Sequence, residues 1–172
     1  MISAIILATD RIDGPARADF TARCLASLVE ACVQGLVADA VLIGAPGRDL
    51  GRIAEDAGCG FIETPDATHG LREALAQVRR DHVLLLSAGY AVERGFADEL
   101  DELFVYHAGD ASRILRATPN SFATRLLPRL SKSAGIIAPR RILTQIDSSF
   151  DMDRLARKLK GADLATRARR LT

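Results

Sequence analysis

Residues Ile2–Ala8 are apolar at every position except Ser3, and no feature of the chain restricts its fold more. The run is short and does not alternate, so it reads as a central strand covered on both faces. Ala38–Ile43 and His82–Leu86 repeat the pattern. Strands buried on both faces belong to a sheet that carries helices on either side.

Between these runs the spacing turns helical. Ala18–Gln34 places Phe20, Cys24, Leu28 and Ala31 on one side, and Gly35 stands where a helix C-cap is expected. The turn Gly44-Ala45-Pro46-Gly47 leads to Asp49, a potential N-cap for a short helix through Ala57 that Gly58 ends. Cys59–Glu63 reads as a third, short strand. His69–Arg80 reads as a helix with Leu71, Leu75 and Val78 facing inward, and Phe96–His107 as another with Leu100, Leu103 and Phe104 as its stripe. Strand alternating with helix and joined by short loops argues a parallel, doubly wound sheet. Ligands of such sheets bind beyond the carboxyl ends of the strands, which gathers Ala8–Asp10, Gly44–Gly47 and Ser87–Gly89 around one crevice. Ala111–Thr172 is less regular, with helices expected at Ser121–Lys132, Pro139–Gln145 and Met152–Lys160.

A chain of 172 residues accommodates one domain. We read a single domain over residues 1–172, with a nucleotide-binding half at 1–110 and a basic acceptor-side half at 111–172. No apolar run approaches the ~20 residues of a membrane span. The N-terminus has neither a basic region nor a small-residue cleavage site, so no signal peptide is expected. Three cysteines, Cys24, Cys32 and Cys59, lack metal spacing and read as small buried residues, which gives a cytoplasmic expectation. Charge is polarised. Residues 1–110 hold nine Arg against eighteen Asp or Glu, and residues 111–172 hold fourteen Lys or Arg against four Asp. That basic third is suited to phosphate or an anionic membrane surface, or simply to neutralising the acidic half.

Common catalytic motifs are missing. There is no G-x-x-x-x-G-K-[ST] loop, no G-x-G-x-x-G after the first strand, and no G-x-S-x-G elbow. His69, His82 and His107 are not spaced for zinc, and His69 reads as an exposed residue near a helix start.

Several stretches, in order, resemble family 2 glycosyltransferases. Ser3–Asp10 looks like their first strand and nucleotide-gripping turn, Ala22–Leu28 (ARCLASL) like their first helix, and Ala40–Ile43 like their second strand. Asp49–Gly58 (DLGRIAEDAG) is similar to the helix after it, and Arg72–Leu86 to the helix and strand before the metal site. Pro139–Leu159 looks like the late segment carrying a Glu-Asp pair and a basic helix. The resemblance implies a GT-A fold, an α/β three-layer, mostly parallel Rossmann-like sheet. It also implies a nucleotide-sugar donor and a divalent cation, Mg²⁺ or Mn²⁺, held by carboxylates against the diphosphate leaving group.

Some positions depart from that pattern. Gly44 stands where the family has an Asp for the nucleotide base, and Ser87-Ala88-Gly89-Tyr90 replaces the D-x-D-type motif. No metal ligand is therefore named. Asp151 falls where the family's catalytic Asp would lie, after Phe150 in place of the Glu and before Asp153. Asp151 and Asp153 are the candidate catalytic acids, although an Asp before a helix is also an N-cap. Ala8, Thr9, Asp10, Gly44, Arg72, Ser87 and Gly89 are the candidate nucleotide-binding residues. Asp10 also reads as a plain turn residue, and Arg72 as a solvated helix residue.

Three functions follow. The first is a family 2-like glycosyltransferase that meets the donor charge without a cation, through Arg72, Arg140 or Arg141. The second is a non-catalytic GT-A scaffold used for binding or assembly. The third is a nucleotidyltransferase, for which the turn holding Arg11, Gly14 and Arg17 lacks the dense glycine pattern. Ile114–Leu130 mixes Ile and Leu with Arg113, Arg116, Arg125 and Arg129, which is compatible with peripheral contact to an anionic inner membrane face or with a homodimer interface. Nucleic acid is not an expected partner, because aromatic residues are not interleaved with the basic ones.

Overall fold

The computed structural model describes residues 1–9, 17–106, 111–120, 126–127, 131–145 and 150–172. Eight strands form one sheet: β1 (Ile2–Ala8), β2 (Val37–Gly44), β3 (Gly60–Glu63), β4 (His82–Ser87), β5 (Tyr90–Val92), β6 (Arg113–Ala117), β7 (Ser133–Pro139) and β8 (Ala162–Arg170). Their spatial order is β3-β2-β1-β4-β7-β6-β8-β5. Strands β3, β2, β1 and β4 are parallel neighbours. β7 is antiparallel to both β4 and β6, β6 and β8 are parallel, and β5 closes the far edge antiparallel to β8.

The helices are α1 (Ala18–Ala26), α2 (Val29–Val33), α3 (Leu50–Asp56), α4 (Ala67–Gln77), α5 (Phe96–Tyr106), α6 (Arg140–Leu143) and α7 (Met152–Leu159). Alternate residues of β1 divide between two cores. Ile2, Ala4, Ile6 and Ala8 join Cys24, Leu28, Leu50 and Leu100 of α1, the α1–α2 junction, α3 and α5 on one face. Ile5 and Leu7 join Leu71, Leu75, Leu143 and Leu155 of α4, α6 and α7 on the other. The sheet is thus sandwiched between helical layers, as the expected three-layer α/β arrangement requires.

Several local expectations change. The helix expected over Ala18–Gln34 breaks at Ser27, whose hydroxyl donates to Cys24 O (2.6 Å) and accepts from Val92 N (3.1 Å). Of the three cysteines expected to be buried, only Cys24 is; Cys32 is exposed and Cys59 half-buried. Asp49 makes no side-chain cap to α3 and has a left-handed φ of 55°. Asp66 caps α4 instead, its Oδ1 accepting from Thr68 N (2.9 Å) and His69 N (3.4 Å). The C-terminal third holds helices α6 and α7 within the expected Pro139–Gln145 and Met152–Lys160, and three long-range strands, β6, β7 and β8, where no element was expected. The helix expected at Ser121–Lys132 lies largely outside the described residues. Ile114 and Leu115 are buried strand residues, so these two are not available to a membrane surface. No helix among the described residues is long and apolar enough to cross a membrane.

Candidate functional site

Three parallel strands end side by side. Ala8 lies opposite Gly44, and Leu7 opposite Ser87. Ala45 N donates to Ala8 O (3.2 Å), Ala88 N to Leu7 O (3.0 Å), and Thr64 N to Gly44 O (2.9 Å), so the departing loops are pinned to their strands. The sequence-predicted positions Ala8, Thr9, Gly44, Ser87 and Gly89 are thereby brought to one edge of the sheet. Asp10 lies outside the described residues. Arg72 is exposed, in the middle of α4 rather than at its N-terminus.

At this edge Thr9 is almost fully buried, and its Oγ1 has no hydrogen-bond partner. Ser87 is likewise buried, and its carbonyl accepts a weak bond from the Cys24 thiol at 3.8 Å. Burial pushes the Cys24 thiol far above its ordinary value, so the residue serves as packing and supplies no thiolate. Gly89 O accepts from Leu171 N at 2.9 Å, tying the loop after β4 to the chain's last residues. Gly44 has no room for a side chain. A Cβ there would meet Phe61 at 2.8 Å and Leu50 at 2.9 Å. Its direction is into the α3 packing, so the position offers a ligand only its backbone.

The candidate acids sit at the same edge, already engaged. Thr68 Oγ1 accepts from Phe150 N at 2.9 Å, which brings residue 150 to the start of α4. Asp151 follows and caps α7, its Oδ1 accepting from Arg154 N at 2.6 Å. Asp153 Oδ1 accepts from Ser133 N at 2.7 Å and so holds the first residue of β7. Both carboxylates have a structural task.

The implied divalent cation does not fit the described residues. It needs several oxygen donors, usually carboxylates, and Ser87 and Gly89 provide no carboxylate. Among the described residues, no group of three or more His, Cys, Asp and Glu side chains is arranged to hold a metal ion.

Arg140 and Arg141 do not reach this edge. Pro139 pairs with His82 at the beginning of β4, about 17 Å from Ser87 at ~3.3 Å per residue. Arg140 instead donates from Nη1 to Val78 O (2.9 Å) and from its backbone N to Asp81 O (2.7 Å). The expectation that they replace the cation's charge is corrected by this register. A cavity of about 710 Å³ lined by Leu25, Val29, Cys32, Ile53 and Cys59 also lies away from the crevice, near the beginning of β2.

A cluster that sequence reasoning missed lies farther along the same edge. After a register shift, Arg116 of β6 stands opposite Ser133 of β7, and across the parallel pairing it faces Arg167 of β8. Its Nε pairs with Asp163 Oδ1 at 2.9 Å, and its Nη1 donates to Ser133 Oγ (3.0 Å) and Ser131 O (3.3 Å). The only sequence signal was a pair of arginines in a short apolar segment, Arg113-Ile114-Leu115-Arg116.

The sequence matches no protein-family model and no curated protein. Solved structures do match. Glucosyl-3-phosphoglycerate synthase from Mycobacterium tuberculosis, in complex with phosphoglyceric acid, superposes with a TM-score of 0.72 at 14% identity, over 100% of this chain and 72% of that one. The same enzyme with Mn²⁺, UDP and glucosyl-3-phosphoglycerate gives a TM-score of 0.70 at 14% identity over the same shares. HddC from Yersinia pseudotuberculosis complexed with GMP-PN gives 0.59 at 10% identity, over 98% of this chain and 92% of that one. At such identities the likeness speaks to architecture alone, and it establishes that this chain has the GT-A fold.

Proposed function

We propose that the chain binds a nucleotide sugar, or the nucleoside diphosphate part of one, in the crevice at the ends of β1, β2 and β4, without a divalent cation. It is then a glycosyltransferase-type protein akin to family 2, transferring a sugar only if an acceptor base is supplied from outside the described residues. The observation that carries this reading is the buried, unpartnered Thr9 Oγ1 at the end of β1, beside pinned loops on the strand edge where parallel α/β sheets take ligands. The neighbours with UDP and with GMP-PN support a nucleotide as the ligand class.

A specific observation favours the second reading, a non-catalytic scaffold. Asp151 and Asp153 both accept backbone N–H groups, so each has a structural use that needs no reaction. The nucleotidyltransferase reading rests on the likeness to HddC. Its turn, with Arg11 and Gly14, lies outside the described residues.

Calorimetric titration with UDP, GDP and UDP-glucose, with and without Mn²⁺, tests the proposal. Saturable binding unaffected by Mn²⁺ is expected. Binding only with Mn²⁺ would overturn the cation-free form. No binding at millimolar ligand would leave the scaffold as the better account.

A further inference from the structure

Arg116, Arg167, Ser131 and Ser133 occupy the same end of the sheet as Ser87, on the side of β7, β6 and β8. Arg116 is fully anchored by Asp163, Ser133 and Ser131, as described above, and its charge is met by Asp163. Arg167 differs. Its Nη1 is buried without a hydrogen-bond partner, and so is the Oγ of Ser131, a residue only 5% exposed. These two orphaned groups flank one anchored guanidinium: Ser131 gives its carbonyl to Arg116, and Arg167 is the cross-strand partner of Arg116. Adjacent strands are ~4.8 Å apart, so the two arginines stand within reach of one small group.

A buried donor left unmade is costly, and more so on a charged group. What completes this pair has to accept hydrogen bonds from a guanidinium and a hydroxyl and offset one positive charge. The two arginines repel a cation, and an anion matches the charge of the half-buried Arg167 better than a neutral acceptor does. Of the carboxylates beside Arg116 and Ser133, Asp163 pairs with Arg116 and Asp153 accepts from Ser133 N. A planar guanidinium fork with a hydroxyl beside it matches a compact oxyanion.

We propose that Arg167 and Ser131, beside the anchored Arg116, form a binding site for the phosphate or carboxylate group of a small molecule. Reading that molecule as the acceptor of a transferred sugar rests on the proposed function above; the anion site itself does not.

The test titrates the protein with inorganic phosphate and, separately, with acetate, following binding by calorimetry and by melting temperature. At least one anion is expected to saturate, and which one does separates a phosphoryl from a carboxylate ligand. Arg167→Met should weaken that binding at least tenfold, Ser131→Ala about threefold, and Arg167→Lys less than Arg167→Met. Arg169→Met, at an exposed position on the same strand, should leave it unchanged. In anion-free buffer, Arg167→Met should melt no lower than the parent, because an unpaired buried group is removed; a merely structural arginine would lower it. Failure of both anions to saturate, or equal binding by parent and Arg167→Met, overturns the site. UDP titrated into the parent protein and into Arg167→Met separates the two proposals. Anion binding without nucleotide binding sinks the function proposed above and leaves this site standing.

Discussion

A Cβ at residue 44 would come within 2.8 Å of a Phe61 ring carbon and 2.9 Å of Leu50 Cδ1, closer than carbons pack. The crowding fixes glycine there whatever the ligand. Gly44→Ala should therefore lower stability by about 1–3 kcal/mol, the usual cost of overpacking. Urea unfolding measures it, and combining the change with Phe61→Leu should recover part of the loss. Restoring an acid through Gly44→Asp is expected to destabilise further and to add no nucleotide affinity. Asp151 makes the opposite case, a residue whose sequence context suggested chemistry and whose geometry suggests a cap. Asp151→Ala should cost about 1 kcal/mol, as loss of a helix N-cap does, and leave nucleotide binding unchanged. A large loss of turnover with no change in stability would instead assign it to the reaction.

At the scale of elements, β8 depends on a clamp from α5. Its pairing with β6 jumps from Asp163 to Arg167 while β6 advances only from Ile114 to Arg116. The jump leaves backbone donors of the bulged segment without a ladder partner, and Glu99 takes two of them, Oε1 from Ala165 N (2.6 Å) and Oε2 from Thr166 N (2.8 Å). Glu99→Ala should cost about 1–3 kcal/mol and speed amide exchange at Ala165 and Thr166 above that of the rest of β8. Unchanged exchange at those amides would mean the clamp is incidental. The same bulge explains why β8 was not legible in the sequence. It buries Leu164 and Ala168 but leaves Thr166 between them only half-buried among polar and charged neighbours, so no apolar run marks the strand. β7 was hidden by Gly135, whose place is set by a backbone approach: a Cβ there would lie 2.7 Å from Leu85 O. β1 to β4 were legible because each is a short apolar run between polar turns, and Thr9, Gly44, Ser87 and Gly89 came with them as strand ends. The Arg116–Arg167 cluster depends on pairing between distant segments, which no local pattern announces.

At the scale of the whole molecule, the acidic and basic parts of the chain interleave. β7 pairs with β4, and β8 pairs with β5, so residues after 110 fill the sheet between two strands that precede it. The change of charge at residue 110 thus falls within one continuous sheet, and a deeply buried group is expected to report on the unfolding of the whole. Cys24 is that group, placed between α1 and the end of β4 and bonded to Ser87 O. Its thiol is raised far above the ordinary 9.0 by burial, and Cys32 and Cys59 are raised less, Cys59 by burial and then by Cys32. A thiol whose folded value is raised favours the folded state fully below the unfolded value, and that contribution is lost as pH rises past about 9. The loss approaches ~1.4 kcal/mol per pH unit while Cys24 stays protonated in the fold. Urea midpoints should therefore fall from pH 8 to pH 10, and fall less steeply in Cys24→Ala, even though that variant starts less stable. Equal slopes would move the alkaline sensitivity to other groups. A thiol reagent supplies the complementary measurement: the exposed Cys32 should react first, and Cys24 only as fast as the sheet itself opens.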